Sequence, residues 1–320
     1  MDLFGVLVGL VLLVVGAELV VREGSALAAR MGIHPIVVGL TVVSLGTSLP
    51  ELAVGLDAAA RGNGGLAVGN IVGTNLVNLL LILGIAAVMA PVRFEQRTMR
   101  FDLPVMTGAA VLLLLLALDG ALSTRDGVWL CLYGVGYLAV LTISSVRAAR
   151  QRDPDGPEVA EVPEQPGGHP VVQTVVLLVG LGVIVAGSDL LVDGAVGIAN
   201  DLGVDDAIIG LTVVAIGTSA PELVTTVVST LRGDRDIAIG NLLGSSVLNI
   251  ALILGPTVIA APGTILVPDD VLAVDLLLMV AAAVVCIPVF RSKSRLGRVE
   301  GAVFVAVYLA YLTWLLSTRL

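Results

Sequence analysis

The chain has 320 residues, 57% of them apolar and only 13% charged, with a net charge of −9. A soluble domain carries roughly 25% charged residues, so this composition excludes an ordinary water-soluble globule. No basic stripe exists for nucleic acid, and Cys131 and Cys286 lie singly in apolar runs, with no Cys/His cluster to hold zinc or copper.

A helix needs about 20 mostly apolar residues to span a bilayer. By that measure ten spans are expected, in chain order 3–21, 36–61, 66–90, 103–118, 127–148, 171–192, 207–232, 236–261, 270–290 and 299–318. The first lacks a basic leader and an Ala-x-Ala exit, so it reads as a span rather than a cleaved signal. Residues 149–170, rich in Pro, Gly and acid, read as a linker too short for a folded regulatory domain. Of the 17 Lys and Arg residues, 14 fall in the loops after the odd-numbered spans. Basic loops stay on the cytoplasmic side. The expectation is a multi-pass cell-membrane protein with both termini outside and the 149–170 linker cytoplasmic.

An internal repeat dominates the pattern. Residues 36–84 align with 207–255 without a gap, with 22 identities in 49 positions. GLTVVSLGTSLPEL in the first copy answers GLTVVAIGTSAPEL in the second, and AVGNIVGTNLVN answers AIGNLLGSSVLN. A weaker echo precedes each copy, AELVVREG beside SDLLVDGA. The halves, 1–148 and 171–320, each hold five expected spans, an odd number, so the second must insert upside down. The expected fold is therefore an all-α polytopic membrane protein: ten transmembrane helices as two inverted five-helix repeats, with a site near the midplane.

Within each repeat one segment breaks the rules for a lipid-facing helix. Pro50 and Pro221 fall in mid-span, where proline removes an amide donor and bends or breaks the helix. Backbone carbonyls near Ser44 and Ala215 are expected to be freed, which is tolerated at this depth only beside a cavity or inside protein. Glu51 and Glu222 follow the prolines, and a carboxylate at the bilayer centre costs at least about 3 kcal/mol and reads as functional. Thr47 and Ser48 stand four and three residues before Glu51, and Thr218 and Ser219 likewise before Glu222, so each trio shares a helix face. Thr74 with Asn78, and Ser245 with Asn249, are four apart on the neighbouring spans. The set is all oxygen, which suits a hard cation such as Ca²⁺ or Na⁺ and not a soft metal. Two glutamates carry −2, which one Ca²⁺ or two Na⁺ neutralise. Obligatory exchange follows from the cost of an empty, charged site, and proton coupling follows nearly as naturally.

GTSLPE with GNIVGTNLVN, and GTSAPE with GNLLGSSVLN, resemble the two α-repeats of the Na⁺/Ca²⁺ exchanger group in the cation/Ca²⁺ exchanger superfamily. The resemblance covers nearly the whole chain. It implies ion ligands at Thr47, Ser48, Glu51, Thr74, Asn78, Thr218, Ser219, Glu222, Ser245 and Asn249, with backbone carbonyls at Ser44 and Ala215. It also implies that spans two, three, seven and eight form the core, against which spans one and six slide. Asn249 stands where K⁺-dependent relatives carry Asp, which argues against a K⁺ requirement. The implied activity is antiport of Ca²⁺ against Na⁺, with Ca²⁺/H⁺ antiport as the alternative and a cation channel as a weaker one. The transported ions are the substrates and the bilayer the surroundings; no resident cofactor, nucleic acid or obligatory protein partner is expected. No nucleophile–base pair or HExxH motif supports an enzyme. Asn70 and Asn241, beside glycines, read as packing or turn residues. Glu18 and Asp189 read as interfacial or capping groups, and Asp57 as lining the external access path or reaching the interface.

Overall fold

The structure, a computed structural model, describes residues 2–31, 33, 35–94, 96–150, 169–201, 215–293 and 295–319. In a bilayer every backbone polar group must be satisfied internally, and the apolar runs answer that with helices. These are α1 (Asp2–Met31), α2 (Ile36–Thr47), α3 (Leu49–Ala60), α4 (Gly64–Met89), α5 (Thr98–Ala117), α6 (Thr124–Arg150) and α7 (Pro170–Asp201). After them come α8 (Ala215–Thr218), α9 (Ala220–Arg232), α10 (Arg235–Ala260), α11 (Val271–Arg291) and α12 (Arg298–Arg319). Among the described residues eight of these are long and apolar enough to cross a membrane, and nine if α2 and α3 count as one bent span. The seventh expected span, 207–232, is described only from Ala215; its start, and residues 151–168 of the linker, lie outside the described residues.

The helical expectation meets one exception. Four two-residue strands pair antiparallel: β1 (Val92–Arg93) with β4 (Arg295–Leu296), and β2 (Ala121–Leu122) with β3 (Ile265–Leu266). Each half thus runs from a long helix to a strand, a second helix, a second strand and a last helix. Each strand pairs with one from the other half. Segments this short carry no readable alternation, so composition could not announce them.

Both halves end the helix after the break in the same way. Gly62 and Gly233 hold φ of +74° and +84°, a left-handed conformation that costs glycine nothing. Helices α4 and α10 are the most enclosed. Where α2 crosses α10, a Cβ on Gly240 would lie 2.5 Å from the Ile36 carbonyl oxygen and 3.0 Å from Gly39 Cα, so the two backbones touch. Helices α1 and α7 pack together along their length, with Gly9 and Gly187 facing each other's backbones. Small residues at such seams let helices approach closely in lipid.

A buried Asp–Tyr pair recurs in both halves and was not singled out from the sequence. The Tyr311 hydroxyl donates to Asp275 at 2.9 Å, and Tyr137 stands against Asp102. Both aspartates sit in π-helical turns, Thr98–Asp102 and Val271–Leu276.

Candidate ion site

Chain breaks position the site. Ser48 leaves the helical region at φ −86°, ψ 6°, and α3 starts afresh with Pro50 in its first turn, bent by 42° from α2. Ser219 does the same at φ −84°, ψ 0°, with Pro221 opening α9. Proline is accommodated there because the first-turn amides have no intrahelical partner. Glu51 and Glu222 therefore each occupy the first turn of a half-helix, where the positive end of the helix dipole favours a carboxylate.

Asn78 and Asn249 lie in matching π-helical turns, Val77–Ile82 and Asn249–Leu254. A π turn widens the helix by a residue and is frequent at functional sites. Another such turn, Gly39–Val43, precedes the first break.

These elements bring Ser48, Glu51, Thr218, Glu222 and Ser245 of the two halves together and bury Ser44, Thr47, Thr74, Asn78, Ser219 and Asn249. Thr47, Ser48, Glu51, Asn78, Glu222, Ser245 and Asn249 are sealed from solvent, and Thr74, Thr218 and Ser219 nearly so. The Ser48 hydroxyl, from the first half, donates to Glu222 Oε1 at 3.4 Å, and the Ser245 hydroxyl meets the same oxygen at 3.4 Å. Glu51 faces Glu222 within electrostatic reach, with Thr218 beside it. Neither Glu51 oxygen accepts a well-formed hydrogen bond among the described residues. Among the described residues the Glu222 Oε2, the Thr74 hydroxyl and both side-chain amide atoms of Asn78 and Asn249 are likewise buried without partners. An orphaned buried polar group costs about 1–3 kcal/mol, and the two carboxylates with the hydroxyls around them have the chemistry to hold a hard cation.

One expected feature differs. The Ser44 carbonyl is not bare: it accepts the Ser48 amide at 3.1 Å and the Thr47 hydroxyl at 3.3 Å. The proline of the first turn deprives the residue four back, and that is Gly46, not Ser44. These two donors engage both lone pairs of the carbonyl, so it can face an ion only where one of them yields. In the second half the corresponding carbonyl, Gly217, accepts the Ser188 hydroxyl of α7 at 3.1 Å. Ala215 opens the described turn α8 before the break.

Asn241 proves to be a joint between the halves, as a packing residue would be. Its side-chain Oδ1 accepts the Thr47 hydroxyl at 3.1 Å, and its carbonyl accepts the Ser44 hydroxyl at 2.9 Å. The Ser188 cap was missed because a serine 29 residues from its acceptor leaves no local signal. Ser188→Ala is expected to strand the Gly217 carbonyl and to cost about 1–3 kcal/mol, read as a fall in thermal unfolding temperature in detergent. An unchanged midpoint would mean that another group takes the carbonyl.

The family model described as sodium/calcium exchanger protein matches residues 1–146 and 172–317. The chain is 36% identical to the inner membrane protein YrbG of Escherichia coli, over 97% of this chain and 96% of that one. It is 31% identical to the sodium/calcium exchanger MaX1 of Methanosarcina acetivorans, over 96% of each. The solved structure of the sodium-calcium exchanger NCX_Mj superposes with a TM-score of 0.83 at 27% identity, covering 98% of this chain and 97% of that one. With these matches running along both halves, the chain belongs to the sodium/calcium exchanger family and is a multi-pass membrane antiporter.

Proposed function

We propose that the protein exchanges Ca²⁺ for Na⁺ across the cell membrane by alternating access, normally extruding Ca²⁺. The observation that carries this reading is the buried pair Glu51 and Glu222, with a hydroxyl from each half, Ser48 and Ser245, on Glu222. Two carboxylates match the charge of one Ca²⁺, and the surrounding oxygens suit an ion that takes about 6–8 of them. The ligand set is Thr47, Ser48, Glu51, Thr74, Asn78, Thr218, Ser219, Glu222, Ser245 and Asn249, with the Ser44 and Ala215 carbonyls. Hydrogen bonding of Ser44 and Thr47 within the fold makes these two the weakest members.

The architecture we infer is ten spans in two inverted halves, 1–148 and 171–320, joined by a cytoplasmic linker at 149–170, with both termini outside. The strand pairs support it. β1 and β4 belong to two loops rich in arginine, and β2 and β3 to two loops on the opposite side of the span count. The matching chain breaks, π turns and left-handed glycines support it as well.

Uptake of radiolabelled Ca²⁺ into Na⁺-loaded proteoliposomes tests the reading. Uptake is expected to need the outward Na⁺ gradient at clamped pH. Uptake that ignores Na⁺ and follows an imposed pH gradient would instead establish Ca²⁺/H⁺ antiport, which the paired carboxylates could equally serve as proton carriers.

A further inference from the structure

Glu18 and Arg232 form a two-pronged ion pair between α1 and the end of α9. Arg232 Nε donates to Glu18 Oε2 at 2.7 Å, and its Nη2 donates to Oε1. The pair ties a helix outside the site to the half-helix that carries Glu222. The repeat offset gives each partner a counterpart. Glu18 in AELVVREG answers Asp189 of α7 in SDLLVDGA, and Arg232 answers Arg61, the residue that caps α3. A second pair of the same kind is thus encoded, Asp189 with Arg61.

That second pair is open. Arg61 turns to Asp57, one helical turn back, with Nε 2.9 Å from Oδ1. Asp189 is exposed and makes no ion pair among the described residues. Helix α1 packs along α9, whereas α7 touches α3 only lightly. The two halves therefore agree in sequence at this point and differ in contact.

We propose that Glu18–Arg232 and Asp189–Arg61 are alternating latches, one closing each face of the transporter, and that only one is made at a time. The proposal rests on the inverted-repeat reading above. In such a pair, a transition that exchanges the shapes of the two halves also exchanges the surroundings of equivalent residues. A contact between α1 and α9 in one state then becomes a contact between α7 and α3 in the other. A bidentate guanidinium–carboxylate pair is the strong, oriented form of an ion pair. Exposed ion pairs contribute little to folding, but an equilibrium between two nearly equal states responds to a small bias.

Asp57 makes the device unequal. Its counterpart in the second half is Val228, so Arg61 has a stand-in partner when its latch opens, and Arg232 has none at that position. Asp234, within electrostatic reach of Arg232, lies beyond the helix end. The present state, with Glu18–Arg232 closed, gains from this. In the proposed orientation it is the outward-facing one.

The test uses a single cysteine at Thr225, in the full chain with Cys131 and Cys286 replaced by alanine. Thr225 is one turn beyond Glu222 toward the closed latch and is sealed from solvent. Glu18→Gln and Arg232→Gln are expected to raise its labelling by a membrane-impermeant maleimide from that face about 3–10-fold. Asp189→Asn is expected to leave labelling at or below the unmodified level. The charge exchange Glu18→Arg with Arg232→Glu should restore slow labelling, which a merely structural disturbance would not do. In transport, Glu18→Gln should raise the KM for cation on the outer side alone, and Asp189→Asn on the inner side alone. Unchanged labelling in both Glu18→Gln and Arg232→Gln, equal KM shifts on both sides, or a charge exchange that folds without restoring protection would each overturn the latches. Labelling does not depend on which ion is carried, so a failure of Ca²⁺ flux would strike the proposed substrate and leave this readout standing.

Discussion

Glu51→Gln and Glu222→Gln are each expected to lower Ca²⁺ flux in proteoliposomes by about 100-fold or more while leaving the protein folded. Removing one partner of a desolvated charge interaction costs about 2–5 kcal/mol, and 1.4 kcal/mol is a factor of ten. Stability should move the other way. A neutral amide is cheaper to bury than a carboxylate, and no well-formed hydrogen bond of Glu51 is lost. The unfolding temperature in Ca²⁺-free detergent should therefore be unchanged or higher in Glu51→Gln. Glu222→Gln keeps an oxygen to accept the Ser48 and Ser245 hydroxyls. Flux and stability with opposite signs identify an ion ligand. A parallel loss of both would mean that the carboxylates hold the fold together instead.

Gly240→Val is the substitution expected to damage the fold most. Its first side-chain atom would sit 2.5 Å from the Ile36 carbonyl and 3.0 Å from both Gly39 Cα and the Leu40 amide. These are backbone atoms, which cannot swing aside as a side chain can. Overpacking a tight core costs about 1–3 kcal/mol, and here the upper end applies. The change would also push apart α2 and α10, which the Ser44 and Thr47 hydroxyls tie to Asn241. The expected results are a fall of several degrees in unfolding temperature and lost flux, with Gly240→Ala intermediate. A stable Gly240→Val protein would show that the two helices are free to separate.

The architecture was legible in the sequence where hydrophobic run length and self-similarity speak. The ungapped repeat, the Pro-Glu breaks and the oxygen residues around them all follow from pattern, and the structure brings the two sets face to face. Other features left no signal. A π turn depends on how a helix is squeezed by its neighbours, so Asn78 and Asn249 could be noticed but not their local geometry. The bonds on the Ser44 carbonyl were not legible because the sequence says only that a proline frees a carbonyl nearby, and coordinates alone show the Ser48 amide and Thr47 hydroxyl on it. Glu18 read as an interfacial group because its partner is 214 residues away. Asp102 and Asp275 escaped attention since an aspartate at the edge of an apolar run resembles a boundary charge until its tyrosine is seen.

The strand pairs set an order in time. Val92 pairs with Leu296, so about 200 residues must be synthesised after β1 before its partner exists. At roughly 5–20 residues per second, the first half waits some 10–40 seconds in the membrane with that edge open. β2 waits a shorter time for β3. Helix α12 follows directly on β4, so the pairing of β1 and the arrival of α12 are one event. A chain truncated before Arg295 would therefore lack α12 and also leave its first half unfastened.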